Sequence, residues 1–169
     1  MIYGLILAGG KGSRLYPLSR ADQPKQFLKL INDKSFLVNT VDRIMPLIDR
    51  DNIYIVTNMD YKEKVKDELI GIREENIFVE PANKETATCI GLSAVKLLKQ
   101  DANAVMVVLP SDHYIQGEKN YIDTLSQAIE MANRRRCIVT LGIEPSRPET
   151  GYGYIEMGER TAGSIPTYR

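Results

Sequence analysis

This sequence predicts an α/β fold of three layers, with a mostly parallel sheet held between helices. Three observations carry that prediction. Short, almost purely apolar runs recur at 2–8, 53–56, 77–79, 104–109 and 137–143, and runs of that length and character are strands buried on both faces. Between them lie longer stretches whose apolar residues return every three or four positions, the helical period. Each strand also stops at turn-forming or polar residues: Gly9-Gly10, Thr57-Asn58, Glu80-Pro81, Pro110-Ser111-Asp112 and Gly142-Ile143. Alternating strands and helices build right-handed βαβ units, and hence a parallel sheet covered on both faces.

Each element has its own justification. The first strand is broken only by Gly4 and empties into a basic, glycine-rich segment. Ser35 then caps a helix carrying Leu37, Val38, Val41, Ile44 and Met45, which Pro46 ends. Beyond the strand at 53–56, Asp60 is expected to cap a short helix with Val65 and Leu69 inside and Gly71 as its stop. The strand at 77–79 leads to a helix over 84–100, with Ala87, Ile90, Ala94, Val95 and Leu98 expected on its inner face. The strand at 104–109 holds the most continuous apolar run. Tyr121, Leu125, Ala128, Ile129 and Ala132 mark a further helix, closed by Arg134-Arg135-Arg136, cations suited to a helix C-terminus. A fifth strand is expected at 137–143. From Glu144 the pattern becomes turn-rich and then alternates through Gly151-Tyr152-Gly153-Tyr154-Ile155, which predicts an antiparallel hairpin near the C-terminus, laid over the site. The whole is Rossmann-like, α/β/α, in one domain over 1–169.

Composition narrows the function. The 169 residues are 43% hydrophobic and 26% charged, enough for a real core. Twenty-two basic residues balance twenty-two acidic ones. That excludes a general nucleic-acid binder, so any anion site must be a local cluster. Cys89 and Cys137 each lie in an apolar stretch and read as buried free thiols in a reducing compartment. No apolar run approaches the ~20 residues that span a bilayer, and Met1 runs straight into the strand without a basic leader. The expectation is a cytoplasmic protein with no membrane partner.

In folds of this class ligands sit beyond the C-terminal ends of the strands. The loop after the first strand combines flexibility with charge, through Lys11, Gly12, Arg14, Arg20 and Lys25. Backbone N–H groups and cations presented this way suit a phosphate. It is not a P-loop, since the Gly-Lys-Ser/Thr ending is missing, and it is not the G-x-G-x-x-G dinucleotide fingerprint. What stands here is Leu7-Ala8-Gly9-Gly10-Lys11-Gly12-Ser13-Arg14-Leu15, then Pro17-Leu18, then Pro24-Lys25-Gln26-Phe27-Leu28. This combination resembles the sugar-phosphate nucleotidyltransferases, which join a nucleoside triphosphate to a sugar 1-phosphate. Ser19-Arg20 and Gln23-Pro24-Lys25-Gln26-Phe27 resemble more narrowly the mannose-1-phosphate guanylyltransferase branch.

The resemblance implies that an oxygen of mannose 1-phosphate attacks the α-phosphorus of GTP and pyrophosphate leaves, giving GDP-mannose. The attacking phosphate is already an anion, so no general base is needed. Cations, backbone donors and a metal-binding carboxylate are. The resemblance assigns Arg14 to the β/γ phosphates and the leaving pyrophosphate and Lys25 to the reacting phosphates, as the catalytic pair. Lys11 is a second loop cation for the triphosphate. Leu7, Ala8, Gly9, Gly10, Gly12 and Ser13 offer backbone to the nucleotide, with Ser111 at the end of the fourth apolar run. Asp112 is by its position either a turn cap or a ligand of Mg²⁺; the resemblance implies the metal. His113 has no chemical task here and reads as structural.

Glu80 stands where uridylyl- and thymidylyltransferases carry a base-pairing glutamine. Guanine offers N1–H and N2–H₂ as adjacent donors that a carboxylate can accept together. Uracil and thymine would turn a carbonyl towards it. A solvated strand-end carboxylate is the other reading. Pro81, Thr86 and Ala87 follow on the nucleotide side. This sequence departs from the family there, with Glu85 for an asparagine and Thr88-Cys89 for a Pro-Ala pair. Gly153 matches the sugar-side loop. The family continues with a Phe-x-Glu-Lys-Pro segment, hexose-binding residues and a second metal-binding aspartate, none of which occurs here. The chain is therefore expected to be the nucleotide half of a longer enzyme. A homodimer is compatible with the reading. Two alternatives stand beside it: a pyrophosphorylase for another hexose 1-phosphate using UTP or dTTP, and a non-catalytic module sensing GTP or GDP-mannose.

Overall fold

The structure, a computed structural model, describes residues 1–10, 12, 15–20, 22–80, 86–161 and 167–168. These fall into two compact units, 1–118 and 119–169.

The first unit is built on a four-stranded, all-parallel sheet. Its strands are β1 (Ile2–Leu7), β2 (Ile53–Thr57), β3 (Ile77–Val79) and β4 (Val105–Pro110), in the spatial order β3-β2-β1-β4. The registers Leu7↔Val56, Leu7↔Pro110 and Thr57↔Val79 bring the C-terminal ends level. The chain steps outward from β1 to β3, then returns to the other side of β1. That reversal makes the crevice between β1 and β4 the switch point at which folds of this class hold ligands.

Helices cover both faces. Alternate residues of a strand point to opposite faces. On one face, a Cβ on Gly4 would lie 3.0 Å from Ile44 Cδ1 and 3.4 Å from Ile48 Cδ1. The glycine therefore lets α1 (Phe36–Ile44) and the turn after it press against β1. Ser35 caps α1 as expected, accepting from Val38 N–H at 3.3 Å. On the other face Tyr3, Leu5, Tyr54, Val56 and Phe78 pack with Cys89 and Leu97 of α3 (Thr86–Gln100). Tyr54 stacks obliquely on Phe78 with ring centroids 5.0 Å apart.

Several expectations need correction. The inner face of α3 is Cys89, Ser93 and Leu97, whereas Val95 and Leu98 are exposed. Apolar residues surround this helix almost completely, so periodicity could not select the buried stripe. Ser93 enters the core because its hydroxyl donates to Cys89 O at 2.9 Å and leaves no unpaired group. The short helix α2 (Lys62–Glu68) is preceded by a 3₁₀ turn capped by Asn58, not Asp60: Asn58 Oδ1 accepts from Tyr61 N–H at 3.1 Å. Gly71 does follow its end, at φ +90°.

The second unit contains most of α4 (Glu118–Arg135), with Leu125 and Ile129 buried. The fifth strand expected at 137–143 is not formed; Ile138 is 97% exposed and Cys137 is exposed rather than buried. An apolar run becomes a strand only where a neighbour completes its ladder, and no pattern along the chain supplies that neighbour. The hairpin expected over 144–155 is also absent. Glu149 N–H donates to Tyr154 Oη at 2.7 Å and Gly151 N–H to Glu149 Oε1 at 3.1 Å. Side chains thus take donors that a ladder would have used. The antiparallel pairing described in this unit is a two-residue one, β5 (Arg160–Thr161) with β6 (Thr167–Tyr168), outside that stretch. Among the described residues no helix is long and apolar enough to cross a membrane.

Candidate active site

The candidate site is assembled at the level C-terminal ends of β1, β2, β3 and β4. Beyond β1 the chain runs through Ala8, Gly9 and Gly10 and returns in a 3₁₀ turn, Lys25–Phe27. That turn is locked to the strand end by Gln26, whose amide is fully buried and donates to Ala8 O at 2.9 Å. Thr57 Oγ1 donates to the same carbonyl at 3.1 Å, and Asn58 Nδ2 donates to Gly9 O at 3.2 Å. Ser19 Oγ donates to Gly12 O and Leu15 N–H to the same oxygen, closing the loop on itself. Gly12 has φ +71°, the left-handed region. A Cβ there would sit 2.8 Å from Lys25 Cβ, so only glycine lets the loop lie against the turn.

Lys25 and Asp112, 87 residues apart, meet at the switch point: Lys25 Nζ donates to Asp112 Oδ2. Both side chains are partly exposed, at 29% and 21%, so they remain accessible from solvent. Asp112 follows β4, and Ser111 N–H donates to Leu7 O at 3.2 Å, which ties this strand end to β1. Behind it the nearly buried Arg43 of α1 donates through Nη2 to His113 O at 3.5 Å. The backbone of His113 thus has a structural contact while its side chain is exposed.

Glu80 closes the other side. Its N–H donates to Thr57 O at 2.9 Å. Its Oε2 lies 3.4 Å from the position that a Cβ on Gly9 would take. The Glu80 carboxylate, just past β3, therefore rests against the backbone of the first loop. Burial, then the Glu80 charge, push the Cys89 thiol up to about 12.

Of the residues expected at the site, Leu7, Ala8, Gly9, Gly10, Gly12, Lys25, Glu80, Ser111 and Asp112 converge on these strand ends, although the Ser111 side chain is buried. Thr86 and Ala87 open α3 and are exposed. Lys11, Ser13, Arg14 and Pro81 lie outside the described residues. Gly153 is exposed in the second unit, with no atom within 4 Å of its would-be Cβ. A cavity of about 460 Å³ beside the Lys25–Phe27 turn, lined by Leu18, Phe27, Leu30 and Lys64 among others, shares no residue with this set. Sequence reasoning overlooked Gln26, Ser19, Thr57 and Asn58 as the groups that pin the loop. The sequence marked Ser19 and Gln26 only as parts of the family-like motifs and Thr57-Asn58 only as the end of an apolar run.

Among the described residues no three metal-ligating side chains cluster. A single carboxylate at a strand end fits Mg²⁺, which keeps waters and completes its shell with phosphate oxygens. It does not fit a metal caged by protein alone.

A parallel sheet with a glycine-rich loop, a lysine and a carboxylate at its switch point defines an α/β protein equipped for a phosphorylated ligand. The chain belongs to the nucleotidyl transferase family, whose profile it matches over residues 3–166. Mannose-1-phosphate guanylyltransferase of Salmonella montevideo is 41% identical over 161 residues, covering 94% of this chain and 33% of that relative. The enzyme of the same name from Escherichia coli is 38% identical over 159 residues, covering 92% and 34%. A crystal structure described as mannose-1-phosphate geranyltransferase from Thermus thermophilus superposes with a TM-score of 0.84 at 37% identity, over 95% of this chain and 46% of that one. The chain spans about a third of the length of the curated relatives it matches.

Proposed function

We propose that this chain forms the nucleotide-binding part of an enzyme that transfers GMP from GTP to mannose 1-phosphate, releasing pyrophosphate and GDP-mannose. The observation that carries the reading is the meeting of Lys25 and Asp112 at the β1/β4 switch point, beside Gly9 and Gly10 and across from Glu80. Lys25, held by its turn, places a cation at the reacting phosphates and stabilises charge that grows on the phosphoryl oxygens in the transition state. Arg14 and Lys11 are assigned to the triphosphate and the departing pyrophosphate, with the loop backbone and Ser13 as donors. Glu80 accepts from the guanine edge, with Pro81, Thr86 and Ala87 beside it. Asp112 would hold Mg²⁺, which when bound supplies charge screening among the phosphates. Gly153 is assigned to the sugar side.

The sugar phosphate brings its own anionic nucleophile, so positioning and electrostatics suffice. The test is pyrophosphate release by the full gene product with Mg²⁺, across four nucleoside triphosphates and several sugar 1-phosphates. Release confined to GTP with mannose 1-phosphate is expected; a preference for UTP or dTTP with another hexose overturns the assignment.

A further inference from the structure

Arg43 is a buried cation that the proposed chemistry leaves without a task. It lies on the last turn of α1, a helix whose Leu37, Val41 and Ile44 are fully buried. Its own side chain is 5% exposed, and a guanidinium stays charged at such depth. Two acceptors face it, both at the limit of hydrogen-bond reach. Nη2 donates to His113 O at 3.5 Å, and Nε stands 3.5 Å from Glu118 Oε1. Nε has no hydrogen-bond partner among the described residues. A buried charge met this loosely is a poor stabiliser, since an apolar side chain of similar volume would fill the place at lower cost. What Arg43 holds is the segment after β4. His113 and Glu118 are the two ends of residues 113–118, and one guanidinium ties both to α1. The backbone around Asp112 is thus anchored on both sides. Before it, Ser111 N–H donates to Leu7 O at 3.2 Å; after it, His113 O accepts from Arg43.

We propose that Arg43 is a positioning residue for Asp112: by holding the backbone just past the strand end, it fixes the direction in which that carboxylate meets Mg²⁺. The inference rests on the reading of Asp112 as the metal ligand. Direction matters to Mg²⁺, which demands near-ideal octahedral geometry at about 2.0–2.1 Å, whereas Ca²⁺ accepts more oxygens in flexible arrangements at about 2.3–2.6 Å. A carboxylate held in one place therefore favours Mg²⁺ over Ca²⁺. The charge of Arg43 acts on both ions alike, because both are divalent, so it cancels from the ratio of their affinities. Only the positioning survives in that ratio.

The test is the Mg²⁺:Ca²⁺ affinity ratio of the 169-residue chain without nucleotide. Each ion is titrated against bound Mn²⁺, and the released Mn²⁺ is read by electron paramagnetic resonance. Arg43→Met should lower the ratio about fivefold, less than the roughly 10–100-fold typical of losing a group that touches the ligating side chain itself. A urea midpoint establishes that the variant is folded. In folded protein an unchanged ratio overturns the proposal. So does an equal weakening of both ions, which is what a general loosening of the fold gives. If Arg43→Met does not fold, Glu118→Ala takes its place, a change at a side chain 65% exposed. It releases the far end of the clamp and should lower the ratio about threefold; a constant ratio there overturns the proposal as well. Asp112→Asn separates the two readings. A parent chain that binds no Mn²⁺, or an Asp112→Asn chain that binds it as tightly as the parent, refutes Asp112 as the metal ligand, whatever Arg43 does.

Discussion

Gly12→Ala probes the loop geometry most directly. Two costs add at this residue. An L-residue at φ +71° is in the left-handed region, at about 1–2 kcal/mol. The new methyl would also stand 2.8 Å from Lys25 Cβ, 2.9 Å from its Cγ and 3.1 Å from its backbone N. Carbon atoms rest comfortably at about 3.5–4.0 Å. Lys25 Cγ can rotate away, but Cβ and N cannot, because the turn is anchored by the fully buried Gln26 and by Phe27 at 3% exposure. Overpacking of this kind costs about 1–3 kcal/mol, so the sum is about 2–5 kcal/mol. The loop is the softer partner, since Gly10 and 15–18 are exposed, and it should yield first. The loss then appears in nucleotide binding: about 2 kcal/mol is roughly a 30-fold weaker Kd for GTP. Calorimetric titration and a urea midpoint, measured on the same sample, capture both routes. Gly10→Ala is the internal control for stability, because its Cβ would meet only Lys25 Cε at an ordinary 3.6 Å. If Gly12→Ala binds GTP and unfolds like the parent, the proposed contact between loop and turn is wrong.

Lys25→Ala in the full gene product should slow pyrophosphate release by on the order of 10²–10³; parental turnover removes Lys25 from the catalytic pair. Lys25→Met should strengthen divalent-metal binding in the absence of nucleotide by up to about fivefold. The partly exposed ion pair that occupies Asp112 is worth only ~0.2–1 kcal/mol; metal affinity that falls instead would mean the ion does not compete for that carboxylate. Glu80→Gln should erode the preference for GTP over UTP by about 1–3 kcal/mol in relative turnover, and an unaltered preference speaks against base recognition by Glu80. Cys89 also makes stability sensitive to alkaline pH. Its folded pKa lies near 12 against a reference of 9.0. Above pH 9 the unfolded chain therefore loses a proton that the native state keeps, and stability falls as pH rises towards 12. Urea midpoints between pH 8 and 11 should decline less steeply in Cys89→Ala, and parallel curves would remove the thiol from that linkage.

Contiguous residues dictate the local elements and the chemistry available. The apolar runs of β1 to β4 and the Ser35 cap state their own structure, because buried parallel strands and helix caps are written in neighbouring positions. The glycine-rich loop, Glu80 and Asp112 were legible for the same reason, each at or just past the end of such a run, whereas Lys25 was picked out by the Pro24-Lys25-Gln26-Phe27 motif that the family resemblance rests on. What depends on partners distant along the chain was settled by folding. Only the sheet order, with β4 returning beside β1, brings Lys25 to Asp112. Only packing selected Cys89, Ser93 and Leu97 as the buried stripe of a helix apolar nearly all round. The stretch at 137–143 reads as a strand as plainly as the other four and forms none. Hydrophobicity records that a segment prefers burial, but a β-ladder exists only where a second backbone presents its donors and acceptors, and that is a property of the folded chain.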